Sequence, residues 1–405
     1  MEQALYKLPD GWEWRTIEEV AQIGADRGFA PTPDSEGNVP FIGMTDIDQE
    51  TGQKSTYELR NFDDVKKGYT KFQRNAVLFA KITPCTENNK TALIDNVSGG
   101  FATTEVFPIH ALDSIEPKYL LHFFRSPSVR RFLIDHMEGA TGRQRVPLKA
   151  LKSVSIPVCG LKEQKRIVDK LDALLTRIDT SIEHLQESVA LADALYASTI
   201  NEQMMQAIEL AGLSTVEKHI EQIQTGTTPP TKQPEFYENG DINWFAPSDF
   251  GDHDILSDSN KKLSQKAFDA GKARKFDAGT IMLVAIGATI GKIGYLEQDA
   301  SSNQQITGMK FNSDIIPRYA YYWFRFIKPE ILTNASTATL PIINQKGIKA
   351  LSFCAPNRQL QETICKKIDE VSSFRNTVKA ELNEKVELMR SLKASILDSA
   401  FKGEL

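Results

Sequence analysis

Two stretches of the chain carry apolar residues at steps of three and four on an otherwise polar background. They run from Leu161 to about Leu210 and from Gln359 to about Phe401, with no proline and hardly any glycine. In the first the stripe is Ile167, Leu171, Leu174, Ile178, Ile182, Leu185, Val189, Ala192 and Leu195. In the second it is Ile364, Ile368, Val371, Val378, Leu382, Val386, Met389, Leu392 and Ile396. Such a heptad-like spacing predicts two long amphipathic helices, and each stripe needs a partner along its whole length. The simplest partner is the other helix. If a pseudo-two-fold axis relates the halves of the chain, the helices pair antiparallel. Ile167 to Leu195 is 29 residues, a rod of roughly 43 Å at 1.5 Å per residue.

Before each helical stretch lie about 155 residues of another texture, with short apolar runs bounded by Gly, Pro, Asn and Asp. That pattern predicts strands with some helices. Ala76–Ala80 and Thr280–Ala285 read as buried strands, and Pro117 to Met137 and Pro317 to Leu332 as helical. The two halves also repeat one another. Val20-Ala-Gln-Ile23 returns as Ile220-Glu-Gln-Ile223, Lys71-Phe72 as Lys275-Phe276, and Pro117-Lys-Tyr119 as Pro317-Arg-Tyr319. Gln164, Ile167 and Asp172 return as Gln361, Ile364 and Asp369. Blocks matching in order, at offsets near 200, identify a tandem duplication with halves near 1–200 and 205–405. The expected fold class is therefore α+β: two mixed α/β domains in tandem, each followed by a long helix, the two helices forming an antiparallel coiled coil.

Composition adds boundaries. The chain has 405 residues, 41% apolar and 25% charged, which suits two or three soluble domains. Its longest apolar run, around Ile281–Ile290, is about half the roughly 20 residues needed to span a bilayer, so no membrane span is expected. The opening MEQALYKLPDGW lacks the basic and apolar regions of an export signal, and a cytoplasmic location is expected. Cys85, Cys159, Cys354 and Cys365 form no CxxC and are expected as reduced, mostly buried thiols. Net charge is −5, so any nucleic-acid surface must be local.

The motifs of catalysis are missing. No GxGxxG follows a strand, and no GxSxG, HExxH or EF-hand loop occurs. Gly287-Ala-Thr-Ile-Gly291-Lys292 resembles a phosphate loop but is one residue short, with Ile293 where Ser or Thr would hold magnesium; it reads as a glycine turn after a strand. His110, His122, His136, His184, His219 and His253 show no ligand spacing. The chain is expected to catalyse nothing itself. The charge distribution is more informative, because Lys118 to Lys152 holds eight basic residues against Asp135 and Glu138, a +6 segment. Within it Gly139-Ala-Thr-Gly-Arg143-Gln-Arg145 joins glycine flexibility to donors suited to phosphates and guanine edges. Asn334, Thr337, Thr339, Asn344, Gln345 and Lys346 hold the corresponding place in the second half. A solvated basic face is the plainer reading of the first segment, but two duplicated heads on a helical rod favour reading two separated patches of one long polymer.

Several segments together resemble one family. Leu8-Pro-Asp-Gly-Trp12, Phe79-Ala-Lys-Ile-Thr-Pro-Cys-Thr-Glu-Asn-Asn-Lys90, Gly287 to Lys292, the Ile156-Pro157 to Glu163-Gln-Lys-Arg-Ile167 helix start and the run Ser395-Ile-Leu-Asp-Ser-Ala-Phe-Lys-Gly-Glu-Leu405 are similar to type I restriction-modification specificity subunits. The resemblance spans the chain; one departure is Leu360 before Gln361, where the first helix has Glu163-Gln164. It implies a target recognition domain over residues 1–158, a conserved helical spacer over 159–210, a second recognition domain over 211–357 and a second spacer over 358–405. It further implies a non-catalytic subunit reading a bipartite asymmetric site on double-stranded DNA. Two methyltransferase subunits would bring S-adenosylmethionine and adenine-N6 chemistry, and two motor-endonuclease subunits ATP and Mg, leaving no cofactor in this chain. The rod would then bound the unread spacer at about a dozen base pairs. On that reading the DNA-contact candidates are Lys81, Asn88, Asn89, Lys90, Arg143, Gln144 and Arg145 in the first head and Thr289, Lys292, Asn303, Gln304, Gln305 and Lys346 in the second. Ile167, Leu171, Leu174, Ile178, Ile182, Leu185, Ile368, Val371, Val378, Leu382, Met389 and Leu392 are the candidates for the helix and partner interface. The alternatives are a two-headed coiled-coil adaptor that binds proteins, and a fused methyltransferase or nuclease.

Overall fold

A computed structural model describes residues 3, 6–52, 57–251, 255–335 and 340–405. The chain divides into two compact units, Met1–Gln186 with Asn383–Leu405, and Glu187–Leu382. The division cuts through both long helices, Leu161–Ala211 of 51 residues and Arg358–Phe401 of 44. The expected α+β class and both long helices are present.

In the first unit, Ala21–Ile23, Val106–Ala111, Ala76–Ala80 and Thr91–Ile94 form one sheet in that order, and Glu58–Asn61, Asn38–Ile42, Gly99–Ala102 and Thr70–Gln73 form another. Glu13–Thr16 pairs antiparallel with Ser155–Val158. All five residues of Ala76–Ala80 are buried, as an apolar run without alternation requires. Gly100 is needed where its strand runs beside Asn38–Ile42, since a Cβ would lie 2.3 Å from the Pro40 carbonyl oxygen. The segment expected as one helix from Pro117 to Met137 is two, Pro117–Arg125 and Pro127–Asp135. Pro127 has no N–H and pushes Ser126 out of helical geometry, at ψ 140°.

The second unit repeats this plan. Ile220–Thr225, Ile306–Phe311, Ile281–Val284, Ile293–Leu296 and Ile255–Leu256 form one sheet in that order, and Lys262–Leu263, Ile242–Phe245 and Ser301–Ser302 a smaller one. Ser214–Thr215 pairs with Ser352–Phe353, and the helices Pro317–Phe326 and Lys328–Asn334 match the pair above.

Inside each unit a segment of one long helix lies antiparallel to a segment of the other. In the first, Arg166 donates to the Leu405 carbonyl (2.7 Å) and Asp179 accepts from Lys393 (2.7 Å), so contacts step forward in one helix and back in the other. In the second, Asp193 pairs with Arg375 and Lys379 (3.4 and 3.0 Å), and Tyr196 lies under the Arg375 guanidinium. The seam departs from the expected one in places. Ile167, Leu171, Ile178 and Ile368 are buried, while Ile182, Leu185, Val371, Val378, Leu382 and Met389 are half-buried. Leu174 is half-buried beside the more buried Leu175. Leu195 and Leu392, expected in the seam, are 48% and 47% exposed. There the buried face passes instead through Tyr196, Ile200 and Met204, and through Leu397, Ala400 and Phe401. At those ends the helix packs into a globular core, and that core rather than a heptad partner sets the inward face. Ser372 and Arg375, polar and buried, also interrupt the second stripe.

The helix and its domain are locked by the same device in both units. The Gln164 amide donates to the Ser114 and Cys159 carbonyls (2.9 and 2.7 Å) and accepts from Glu116 N (2.9 Å). Gln361 donates to Asp314 O and Pro356 O (3.0 and 2.8 Å) and accepts from Ile316 N (2.8 Å). Asp172 binds Lys118 and His122, as Asp369 binds Arg318 and Tyr322. Leu360, the departure noted in the sequence, packs at the edge of the second core, and its N–H is capped by Asn357 Oδ1 at 2.9 Å.

His110 should make the first unit acid-sensitive. Its Nε2 accepts from Gln73 N at 3.1 Å, and burial holds its pKa below the ordinary 6.5. The folded unit thus resists a proton that the unfolded chain takes up, so stability is full above the unfolded value and is lost as pH falls from about 6.5 toward the lower folded value. His110→Gln should flatten that slope in urea unfolding of the first unit between neutral and mildly acid pH; an unchanged slope would remove His110 from this role.

Candidate nucleic-acid interface

The glycine-rich basic segment of the first unit folds as a projecting loop. Glu138 and Arg145 exchange backbone hydrogen bonds (2.9 and 2.8 Å), and Gly139 and Gly142 take left-handed φ values of 120° and 81°. Those angles reverse the chain at little cost only for glycine. The loop is pinned to the end of the buried Ala76–Ala80 strand, because Thr83 N donates to Gln144 O (3.0 Å) and Val146 N to Lys81 O (2.8 Å). This brings Lys81, Arg143, Gln144 and Arg145 together.

Their states differ. The Arg145 guanidinium holds Glu105 by two bonds of 3.0 and 2.8 Å, and those bonds keep the Glu105 carboxyl below its usual range. The Lys81 ammonium sits 4.7 Å from the Phe107 ring centre. Arg143, exposed at the tip, makes no side-chain hydrogen bond or ion pair among the described residues. Asn88, Asn89 and Lys90 lie at the other end of the same connecting loop. Asn88 is exposed, whereas Asn89 is a turn residue at φ 56°, and Lys90 spends its ammonium on the Met44 carbonyl at 2.7 Å. Asn89 and Lys90 therefore hold the loop rather than face outward. Two further cations of the +6 segment are likewise committed. Lys118 pairs with Asp172, and Arg125, 5% exposed, donates to the carbonyls of Gln49, Glu50, Asn89 and Thr91.

In the second unit, Gly287 to Lys292 is the turn between the antiparallel strands Ile281–Val284 and Ile293–Leu296, not a strand-to-helix phosphate loop. Gly287 N donates to Pro341 O and Ile343 N to Ala285 O, both 3.0 Å. The same docking therefore recurs with other side chains. Thr289 is exposed, and Lys292 donates to the Phe250 carbonyl at 2.8 Å, a structural bond like that of Lys90. Asn303, 8% exposed, binds Gln305 through side chain and backbone (3.1 and 3.0 Å). The Gln305 amide reaches Ile286 O at 3.4 Å, and Gln304 accepts from the Thr228 hydroxyl. Lys346 is exposed on the short helix Gln345–Ala350. Thr337, Thr339 and His253 lie outside the described residues.

Sequence reasoning missed Glu105, which sets the Arg145 geometry. The offset of 200 that relates the halves places it opposite Gln305, and that was the available signal. Where the first unit has Lys81, Glu105 and Arg145, the second has Ala285, Gln305 and Ile342: a charged set in one, a neutral one with a single amide in the other. Three of the four thiols are buried, and burial pushes Cys159 up to about 11 and Cys365 up to about 12. Among the described residues no group of three or more His, Cys, Asp or Glu side chains is placed to hold a metal, and no helix is long and apolar enough to cross a membrane.

Comparison with known proteins agrees with this geometry. The chain is 35% identical over 181 residues to the EcoAI type I restriction enzyme specificity subunit of Escherichia coli, covering 44% of this chain and 30% of that one. It is 32% identical over 205 residues to the EcoEI specificity subunit of the same species, 49% of this chain and 34% of the relative. The matched segments thus span about a third of those relatives' length. The EcoBI specificity subunit of Escherichia coli is 21% identical over 443 aligned positions, 99% of this chain and 88% of the relative. Among solved structures, a chain from work on assembly and conformational transition of the type I restriction-modification system superposes with a TM-score of 0.78 at 19% identity, covering 99% of this chain and all of that one. The HsdS subunit of Thermoanaerobacter tengcongensis does so at 0.56 and 20%, covering all of both chains. At such identities these two share the fold. The sequence model of the type I restriction modification DNA specificity domain matches residues 9–190 and again 218–388. A duplicated domain with its helix, matched twice over most of its length, makes this chain a member of the type I restriction-modification DNA specificity domain family.

Proposed function

We propose that this chain is the specificity subunit of a type I restriction-modification assembly and reads a bipartite, asymmetric site on double-stranded DNA, one half-site per unit. The observation that carries the reading is the contrast at one place in a duplicated fold: Lys81, Glu105 and Arg145 in the first unit against Ala285, Gln305 and Ile342 in the second. A duplication kept for packing alone has no need to vary there, whereas two readers of different sequences do. Catalysis belongs, on this reading, to partners: two methyltransferase subunits carrying S-adenosylmethionine, and two motor-endonuclease subunits using ATP and Mg. Leu388 and Leu392 of the first unit, and Leu191 and Leu195 of the second, are exposed at matching positions of the repeat and fit a partner that docks twice.

The test is an electrophoretic shift of duplex DNA by the full chain with its methyltransferase subunit. Binding should fall steeply and linearly in log–log form as salt rises, because phosphate contacts release counterions. A complex that binds protein partners but shifts no duplex at low salt would favour the adaptor instead.

A further inference from the structure

Resting on that reading, we infer that Arg143 is the base-reading residue of the first unit, donating in bidentate fashion to one guanine edge of the first half-site, and that the Arg145–Glu105 pair positions it.

The cations of this face differ in how far they are already committed. In this face Arg145 is held by Glu105 through two bonds, Lys90 by a carbonyl, and the Lys81 ammonium rests over Phe107. Among the described residues of this face, Arg143 alone is a guanidinium exposed at a turn tip, in a loop whose base is closed by two Glu138–Arg145 backbone bonds and pinned at Thr83 and Val146. A side chain presented from a pinned loop loses less freedom on binding than one on a loose segment. Its five donors in a planar fork match the paired O6 and N7 acceptors that guanine shows in the major groove. Lysine serves a phosphate as a point charge, but without the rigid planar fork it reads a guanine edge less strictly than arginine. The corresponding stretch of the second half, Ala335-Ser-Thr-Ala-Thr-Leu-Pro341, has no cation, so this mode belongs to the first half-site only.

The Glu105 side chain contributes differently. It turns Arg145 back onto the domain, so that the arginine braces the loop rather than competing for DNA. Glu105→Gln keeps one hydrogen-bond acceptor and loses the ion pair. It should weaken binding without changing which base is preferred, as a positioning residue does.

The experiment uses the full chain with its methyltransferase subunit. Modified positions are mapped by methylation-sensitive sequencing, and binding is competed with duplexes altered one base pair at a time. Arg143→Ala should weaken the cognate duplex by about 10- to 100-fold and abolish preference at a single G·C pair of one half-site, with the other half-site unaffected. Arg143→Lys should restore that preference only in part, since the ammonium lacks the planar fork. If Arg143→Ala weakens all duplexes equally while lowering the salt slope by about one, Arg143 contacts a phosphate and the inference is overturned. An unchanged motif and affinity overturns it as well. The broader reading fails separately, by absence of a salt-dependent shift with the unaltered chain. The Arg143 side chain is exposed and makes no bond among the described residues, so unchanged thermal unfolding of both variants should accompany these results.

Discussion

Phe401→Ala should unfold the N-terminal part of this chain first, although the substituted residue lies in the last turn of the second long helix. Phe401 is 3% exposed, with its ring edge-to-face against Tyr119 at 5.0 Å and Phe123 at 5.3 Å. Its carbonyl accepts from the Tyr6 hydroxyl at 2.7 Å. With Leu397 and Ala400 it belongs to the same core as Val77, Phe79 and Phe124. Truncating a buried phenylalanine costs about 3–5 kcal/mol, from lost transfer energy and the cavity left behind. Native-state hydrogen exchange checks this unit by unit. Protection of Ala76–Ala80 should drop by that amount while that of Ile281–Val284 holds, because the second core takes Tyr196, Ile200 and Met204 from the first helix instead. An equal loss in both units, or a loss below about 1 kcal/mol, would show that the helix end is not part of the first core.

The second large effect is expected from Gln164→Leu. The side chains are similar in size, so packing changes little; the hydrogen bonds do not survive. Gln164 is fully buried and its amide satisfies Ser114 O, Cys159 O and Glu116 N. Each buried backbone group left without a partner costs about 1–3 kcal/mol, and three such groups place the loss at about 3–9 kcal/mol for the first unit. Gln361→Leu should do the same to the second unit, where the amide has the matching three partners. Denaturant unfolding of the full chain should then show one early and one late transition, with the order exchanged between the two variants. A single shared transition, or a leucine variant as stable as the parent, would mean that this amide does not join helix to domain.

Much of the fold was legible along the chain. The stripes at Ile167, Leu171 and Ile178, and at Ile364 and Ile368, mark the long helices because a period near 3.6 is a local property of backbone geometry. The all-buried Ala76–Ala80 strand and the glycine turn at Gly287 were visible for the same reason, and the repeat offsets established the duplication. The candidate site was legible only in kind: residue types named the chemistry, but not which side chains are free to perform it. Lys90 and Lys292 carry the same charge as any outward lysine, yet each is spent on a backbone carbonyl of a segment more than 40 residues away in sequence. Glu105 looked like an ordinary acid until Arg145, 40 residues on, closed over it.

What the chain alone determined is therefore everything that depends on neighbours within a few turns or strands, together with the internal repeat. Tertiary structure decided which helix end completes which core. Leu195 and Leu392 satisfy the heptad spacing as well as any seam residue and stand exposed, while Tyr196 and Phe401, off the expected stripe, are buried. The physical reason is that a helix presents several apolar faces, and local periodicity cannot rank them. The one that is buried is chosen by the surface that meets it, here a core whose other members, Tyr119 and Phe123, lie almost 300 residues from Phe401 along the chain.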